Sequence, residues 1–386
     1  MFSHGRPGGR AAMTGQATPG SGPAPITVLR PLLPRAAEVL PYLDRIDATR
    51  IYSNYGPLCL ELQQGMARWL GAKAGVGGVR VVTASSGTTA IEIALRARAL
   101  PGRRFCLMPA FTFIASAHAV CNAGLEPVLT DVEEARFTLT PALAEAAMAE
   151  LPEPPAAVLV VSAFGAPPDV AGWEDFEAKH GVPVVFDAAA AVTSLRRIGR
   201  QPLAVSLHAT KVFGIGEGGA VITTDAALAD RLAANTGFGF LGTDRVSAER
   251  AGNYRISEYA AAVGLAVLAG IDAKEQRLLH LGGLYAEALR NSPCRLQEGA
   301  GTEWATMTLN VVIPADRLEG SLSRLDAAGI QWRRWWGLGT HRHPAFADLR
   351  RTALPVTEDL APRVIGLPFY EGLTEAEIGR VAEALR

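Results

Sequence analysis

The 386-residue sequence predicts an α/β fold, with a mostly parallel seven-stranded sheet between helices and a smaller C-terminal α+β domain. Three observations carry this. Short apolar runs recur at 79–82, 105–108, 127–129, 157–161, 182–186, 203–207 and 220–223. They are nearly continuous rather than alternating, as strands buried on both faces should be. Stretches of helical periodicity separate them, and after about Lys274 the character of the chain changes.

The elements follow in order. Residues 58–70 form an amphipathic pattern that predicts a helix, and the first strand, 79–82, comes next. Ser85-Ser86-Gly87-Thr88-Thr89 turns into a helix over 90–97. Strand 105–108 leads to a helix through 115–121 and strand 127–129. Strands 157–161 and 182–186 flank a helix near 173–179, and strands 203–207 and 220–223 complete the series. Beyond Lys274 come a helix over 278–289, a strand over 305–312, a helix over 318–328, an Arg/Trp-rich stretch and a closing helix over 375–385. The expected division is a disordered tail over 1–28, a large domain over 29–275 and a small domain over 276–386.

Composition narrows the function classes. Hydrophobic residues make up 49% and charged residues 19%, so a sizeable core is expected rather than disorder. A formal charge of −1 gives no reason to expect a nucleic-acid or anionic-membrane partner. No apolar run approaches the roughly 20 residues that cross a bilayer. The Gly-, Pro-, Ser- and Ala-rich start lacks the apolar core of a signal peptide. Cys59, Cys106, Cys121 and Cys294 form no paired motif, which fits buried or free thiols in a cytoplasmic protein.

Of 37 basic residues only four are lysines, namely Lys73, Lys179, Lys211 and Lys274. Chemistry that needs an amine able to lose its proton cannot use arginine, so the candidates are few. Lys73 stands in a Gly/Ala-rich loop, Lys179 at the end of a helical stretch and Lys274 in a charged segment, and all three read as surface residues. Lys211 lies between an apolar strand and the Gly-rich turn Gly214-Ile215-Gly216-Glu217-Gly218-Gly219. A desolvated amine there would have a lowered pKa and favour Schiff-base chemistry.

In parallel sheets the ligand site gathers at the carboxyl ends of the strands. Ser85 to Thr89 occupy one such end, where free N–H groups could hold a phosphate, although plain N-capping is the simpler account. Asp187 ends another strand. It could hold a proton on a pyridinium nitrogen, or cap a helix beginning at Ala188. Together with Lys211, these ends describe a ligand with a phosphate, a cationic ring nitrogen and an aldehyde. Pyridoxal 5'-phosphate (PLP) is such a ligand.

From Leu29 to Arg386 the sequence resembles the DegT/DnrJ/EryC1/StrS family of PLP-dependent sugar aminotransferases, which have the fold-type-I architecture. The resemblance is carried by Ser86-Gly87-Thr88, Pro109-Ala110-Phe111-Thr112-Phe113-Ile114-Ala115, Asp187-Ala188-Ala189, Ser206-Leu207-His208-Ala209-Thr210-Lys211 and Gly216-Glu217-Gly218-Gly219. Gly252-Asn253-Tyr254-Arg255-Ile256-Ser257-Glu258 and Leu367-Pro368-Phe369-Tyr370 add to it. It implies that Lys211 carries the cofactor, that Gly87, Thr88 and Ser206 hold its phosphate, that Phe113 stacks on its ring and that Asp187 pairs with the ring nitrogen. Asn253 would reach the phosphate in the neighbouring subunit, which implies a homodimer with shared active sites. The implied reaction is a ping-pong transfer from L-glutamate to a nucleotide-linked keto-deoxysugar.

One departure stands out. Ala190 occupies the place where the family usually has Gln or His beside the cofactor's ring hydroxyl. Lysine at 211, where dehydratase relatives have histidine, argues against deoxygenation without transfer. A non-catalytic PLP-binding regulator and a PLP-dependent dehydratase or lyase remain the competing readings. For the acceptor, Asn54 in Asn54-Tyr55-Gly56-Pro57 aligns with a loop near the substrate, and Arg333 in Arg333-Arg334-Trp335-Trp336 could pair with a diphosphate. Packing at an interface accounts for the latter equally well. His341 is a third candidate for the acceptor site; as a metal pair His341 and His343 are only a faint signal, and exposed loop histidines are the expectation, with no metal called.

Overall fold

The computed structural model describes residues 24–240 and 245–386. Two helices open it, α1 (Ala36–Thr49) and α2 (Pro57–Ala74). The alternating series is β1 (Arg80–Ala84), α3 (Gly87–Arg98), β2 (Phe105–Pro109), α4 (Ala115–Asn122), β3 (Glu126–Thr130), α5 (Pro141–Ala149), β4 (Ala157–Val161), α6 (Val170–His180), β5 (Val184–Asp187), β6 (Leu203–Ser206), β7 (Gly219–Thr223) and α7 (Ala226–Thr236). The strands form one seven-stranded sheet in the order β1-β7-β6-β5-β4-β2-β3. Neighbours from β6 to β3 are parallel, whereas β7 runs antiparallel to both β6 and β1.

Why these residues make a two-sided sheet is visible in the packing. Successive side chains of a strand point to opposite faces. On β4, Val158 and Val160 join the core under α2, α6 and α8 (Glu258–Ala288), while Ala157 and Leu159 join the core under α3, α4 and α7. Both faces are covered, so the strand has no position for a polar residue. That is the physical origin of the continuous apolar runs.

The remaining elements are β8 (Arg295–Leu296), β9 (Leu309–Val312), α9 (Leu318–Ala327), α10 (Pro355–Leu360), β10 (Val364–Leu367) and α11 (Glu375–Ala384). The three strands form an antiparallel sheet in the order β10-β9-β8. Helix α8 continues for 31 residues straight through Lys274, about 46 Å at 1.5 Å per residue. The division expected at 275/276 therefore falls inside one helix that serves both parts. The strand expected over 305–312 begins only at Leu309. Upstream, Thr306 Oγ1 donates to Phe164 O at 2.7 Å, drawing that segment towards the loop after β4.

Residues 1–23 of the expected tail lie outside the described residues. Its last part is packed: Ile26 is fully buried and pairs with Ile330. Lys73 and Lys274 are not the surface residues expected. Lys73 ends α2 paired with Glu275, and Lys274 pairs with Glu371, each side chain only 16% exposed. Both have carboxylate partners far along the chain that local composition does not reveal. Among the described residues, no helix is long and apolar enough to cross a membrane.

Candidate active site

The site is built where β1, β2, β5 and β6 end. Ser86 has extended backbone (φ −159°, ψ 167°), and its Oγ accepts from Thr89 N at 3.1 Å. It is thus a true N-cap of α3. Capping and anion binding do not exclude each other here. The cap satisfies one first-turn N–H, whereas those of Gly87 and Thr88 have no carbonyl within reach of helix geometry. A Cβ at Gly87 would lie 2.7 Å from Ser206 Cβ and 3.1 Å from its Oγ. The absent side chain is what lets the first turn of α3 approach the end of β6, setting the Ser206 hydroxyl beside those N–H groups.

Asp187 is 5% exposed at the end of β5. Its Oδ2 accepts from Ser116 Oγ at 2.6 Å and its Oδ1 from Ala189 N at 3.1 Å. No helix begins at Ala188, so the carboxylate is not a helix cap. Burial pushes its pKa up, against the opposing effects of Ser116, the Ala189 N–H and the charge of Lys211. Lys211 is shaped by a tight loop: Lys211 N donates to His208 O at 2.8 Å and Ala209 N to Gly216 O at 2.7 Å. Gly216 has φ +99°, a conformation that suits glycine. Burial lowers the Lys211 amine to about 8, with Asp187 opposing. At pH 7 about one such amine in ten is neutral and nucleophilic.

Phe113 precedes α4 and is 54% exposed, which rules out core packing as its reason for being there. It is three residues from Ser116, the direct partner of Asp187. Ala190, half-buried and directly after Ala189, presents only a methyl group. The chemistry of this set suits PLP. It offers unfilled N–H donors and a hydroxyl for a phosphate, a buried carboxylate for a ring nitrogen, an exposed aromatic face and an amine that can be neutral.

The other expected residues are placed differently. Asn253 is exposed, and its Oδ1 accepts from Arg255 Nε at 3.1 Å and Nη2 at 2.9 Å. Asn54 is exposed with φ +62°, beside Tyr55, whose hydroxyl bonds Thr236 Oγ1. Arg333 is exposed, with its guanidinium 5.3 Å from the centre of the Trp335 ring. Trp336 stacks on Phe164 at 3.9 Å and 16°. The tryptophans of this stretch are thus occupied by packing. His341 is not an exposed loop histidine. It is 5% exposed, and neither ring nitrogen has a hydrogen-bond partner. Burial and the Arg342 charge push its pKa down. Its burial follows from the 340–342 turn, where Thr340 N donates to Ala110 O at 2.8 Å and ties the loop to the end of β2. His343 is half-buried.

Sequence reasoning did not single out Ser116. Its signal was a hydroxyl among the apolar residues of a short helix, with Thr112 four residues before it.

A sequence model of the DegT/DnrJ/EryC1/StrS aminotransferase family matches residues 35–386. Among similar proteins is a UDP-N-acetyl-3-dehydro-alpha-D-glucosamine 3-aminotransferase of Acidithiobacillus ferrooxidans, 30% identical, with 92% of this chain and 94% of that protein aligned. A PLP-dependent aminotransferase structure from Bacillus cereus superposes with TM-score 0.86 at 27% identity, covering 94% of this chain and all of that one. The structure of DesI in the presence of its TDP-sugar product gives TM-score 0.82 at 28% identity, covering 95% and 93%.

Proposed function

The chain belongs to the DegT/DnrJ/EryC1/StrS aminotransferase family and is a PLP-dependent aminotransferase, and we propose that it moves an amino group from L-glutamate to a nucleotide-linked keto-deoxysugar. The observation that carries the reading is Lys211, a buried amine lowered to about 8 that feels the charge of Asp187 at neighbouring strand ends. The nucleotide-sugar acceptor is supported by relatives named for UDP- and TDP-sugars.

When bound, PLP supplies an electron sink that stabilises negative charge developing at the donor's Cα. The protein does the rest. The Gly87 and Thr88 N–H groups and Ser206 Oγ would bind the phosphate, Phe113 would cover the ring, and Asp187 would hold a proton at the ring nitrogen. Lys211 Nζ would take the proton from the donor's Cα as general base and, as the conjugate acid, deliver it to the cofactor's C4′ carbon rather than back to Cα. The two substrates use this one set of groups in turn, which makes the kinetics ping-pong. Asn54, Arg333 and the 340–342 turn bearing His341 are assigned to the acceptor side.

The active unit is a homodimer in which Asn253 contributes to the partner's phosphate site. Supporting this, exposed apolar residues gather on the segments that carry Asn54 and Asn253. Tyr52 stacks on Tyr259 at 6.3 Å, and Phe238 and Phe240 lie beside Gly252 through the Phe238 N to Gly252 O bond. The bond from Glu258 N to Tyr52 O at 2.9 Å joins the two segments. Unbridged cysteines are in keeping with the cytoplasm.

The test is the absorbance of the protein with PLP, before and after L-glutamate, beside Lys211→Ala. The expected result is a visible cofactor band that glutamate moves to the near ultraviolet, with no such band in the variant. A band that glutamate leaves untouched would overturn the donor assignment. Absence of any cofactor band would overturn the whole reading.

A further inference from the structure

The carboxylate of Asp187 is held by groups to which the reaction above assigns no role. Ser116 Oγ donates to Oδ2 at 2.6 Å, and Ser116 Oγ lies 2.8 Å from Thr112 Oγ1. A hydroxyl has one proton. With that of Ser116 committed to the carboxylate, Thr112 must donate the second bond. The three residues form a directed chain, Thr112 to Ser116 to Asp187, and are 1%, 0% and 5% exposed.

We propose that Ser116, oriented by Thr112, is a positioning residue that keeps the shared proton on the cofactor's ring nitrogen rather than on Asp187. The proposal rests on the aminotransferase reading and deepens it. A buried carboxylate is more basic than one in water, because its charged form has lost hydration. The more basic it is, the more a proton shared with a ring nitrogen moves towards oxygen. A neutral ring is the poorer electron sink. Donors to the charged form reverse that drift. Asp187 has two here, and the Ser116 bond is the shorter and the one a side-chain change can remove. Burial raises Asp187, and Ser116 is the largest of the effects that pull it back. Lys211 is the charged group acting on it.

The experiment loads wild type, Ser116→Ala, Ser116→Thr and Thr112→Val with PLP labelled with nitrogen-15 in its ring, and records the ring nitrogen's chemical shift. Wild type and Ser116→Thr should give the protonated signal. Ser116→Ala should move towards the neutral-ring position, and Thr112→Val should move the same way by less. In Ser116→Ala, kcat should fall about tenfold, as for loss of one charge-assisted bond, with KM for glutamate nearly unchanged. A Ser116→Ala ring as protonated as wild type overturns the proposal. Should that variant fail to fold, an unmoved signal in Thr112→Val does so. Failure of the underlying reading looks different: wild type itself would take up no cofactor, or glutamate would leave its band untouched.

Discussion

Gly87→Ala perturbs the phosphate cradle at its tightest point. The added methyl would sit 2.7 Å from Ser206 Cβ, 3.1 Å from its Oγ and 3.2 Å from its Cα. Carbon atoms prefer separations of about 3.5–4.0 Å. One of the obstructing atoms is backbone, so turning the serine side chain does not relieve the overlap. The first turn of α3 and the end of β6 must part by about 1 Å, a kind of overpacking that costs about 1–3 kcal/mol of stability. The same movement separates the Gly87 and Thr88 N–H groups from the Ser206 hydroxyl. Losing one hydrogen bond to a charged group removes about 1.5–3 kcal/mol of binding, which is about 10- to 150-fold in Kd. The assay titrates cofactor-free protein with PLP and, separately, with pyridoxal, which has no phosphate. PLP affinity should fall by that factor while pyridoxal affinity changes little. An unchanged PLP Kd, or an equal loss for both ligands, would refute the placement of the phosphate at this helix end.

Two further outcomes are expected. Because the Lys211 amine must be neutral to react and is lowered to about 8, the rate of PLP uptake by cofactor-free protein should rise with pH, by about tenfold between pH 7 and pH 9. A rise of about a hundredfold, measured by stopped-flow absorbance, would mean that the amine is not lowered, and a flat profile would mean that its neutral form does not govern uptake. Asp131→Ala should lower the free energy of unfolding in urea by about 3 kcal/mol, since Asp131 accepts from Val132 N, Val356 N, Thr357 N and Thr357 Oγ1 and ties the end of β3 to α10. A change below about 1 kcal/mol would show those bonds to be readily replaced by water.

Much of the site was legible before any coordinates, for physical reasons. An amine that must deprotonate cannot be arginine, and a chain with four lysines advertises its reactive one. Fully buried strands leave uninterrupted apolar runs, so their ends, and the polar residues placed there, stand out. Several helices did not. Helix α5 is mostly alanine and lacks a marked apolar face, α7 is alanine-rich, and α1 contains Pro41, a residue that ordinarily argues against a helix interior.

The sequence by itself determined the seven-stranded sheet, the order of its strands along the chain and the residue types at their carboxyl ends, because burial on two faces is written locally into each strand. Tertiary structure alone decided which of those residues meet. Ser116 and Asp187 are 71 positions apart, and nothing in either neighbourhood announces the 2.6 Å bond between them. The same holds for the burial of His341, for Lys73 and Lys274 finding Glu275 and Glu371, and for α8 running unbroken through an expected boundary. Local pattern specifies which face an element buries. The partner on that face is chosen only when distant elements close over it and every buried polar group must find a donor, an acceptor or a ligand.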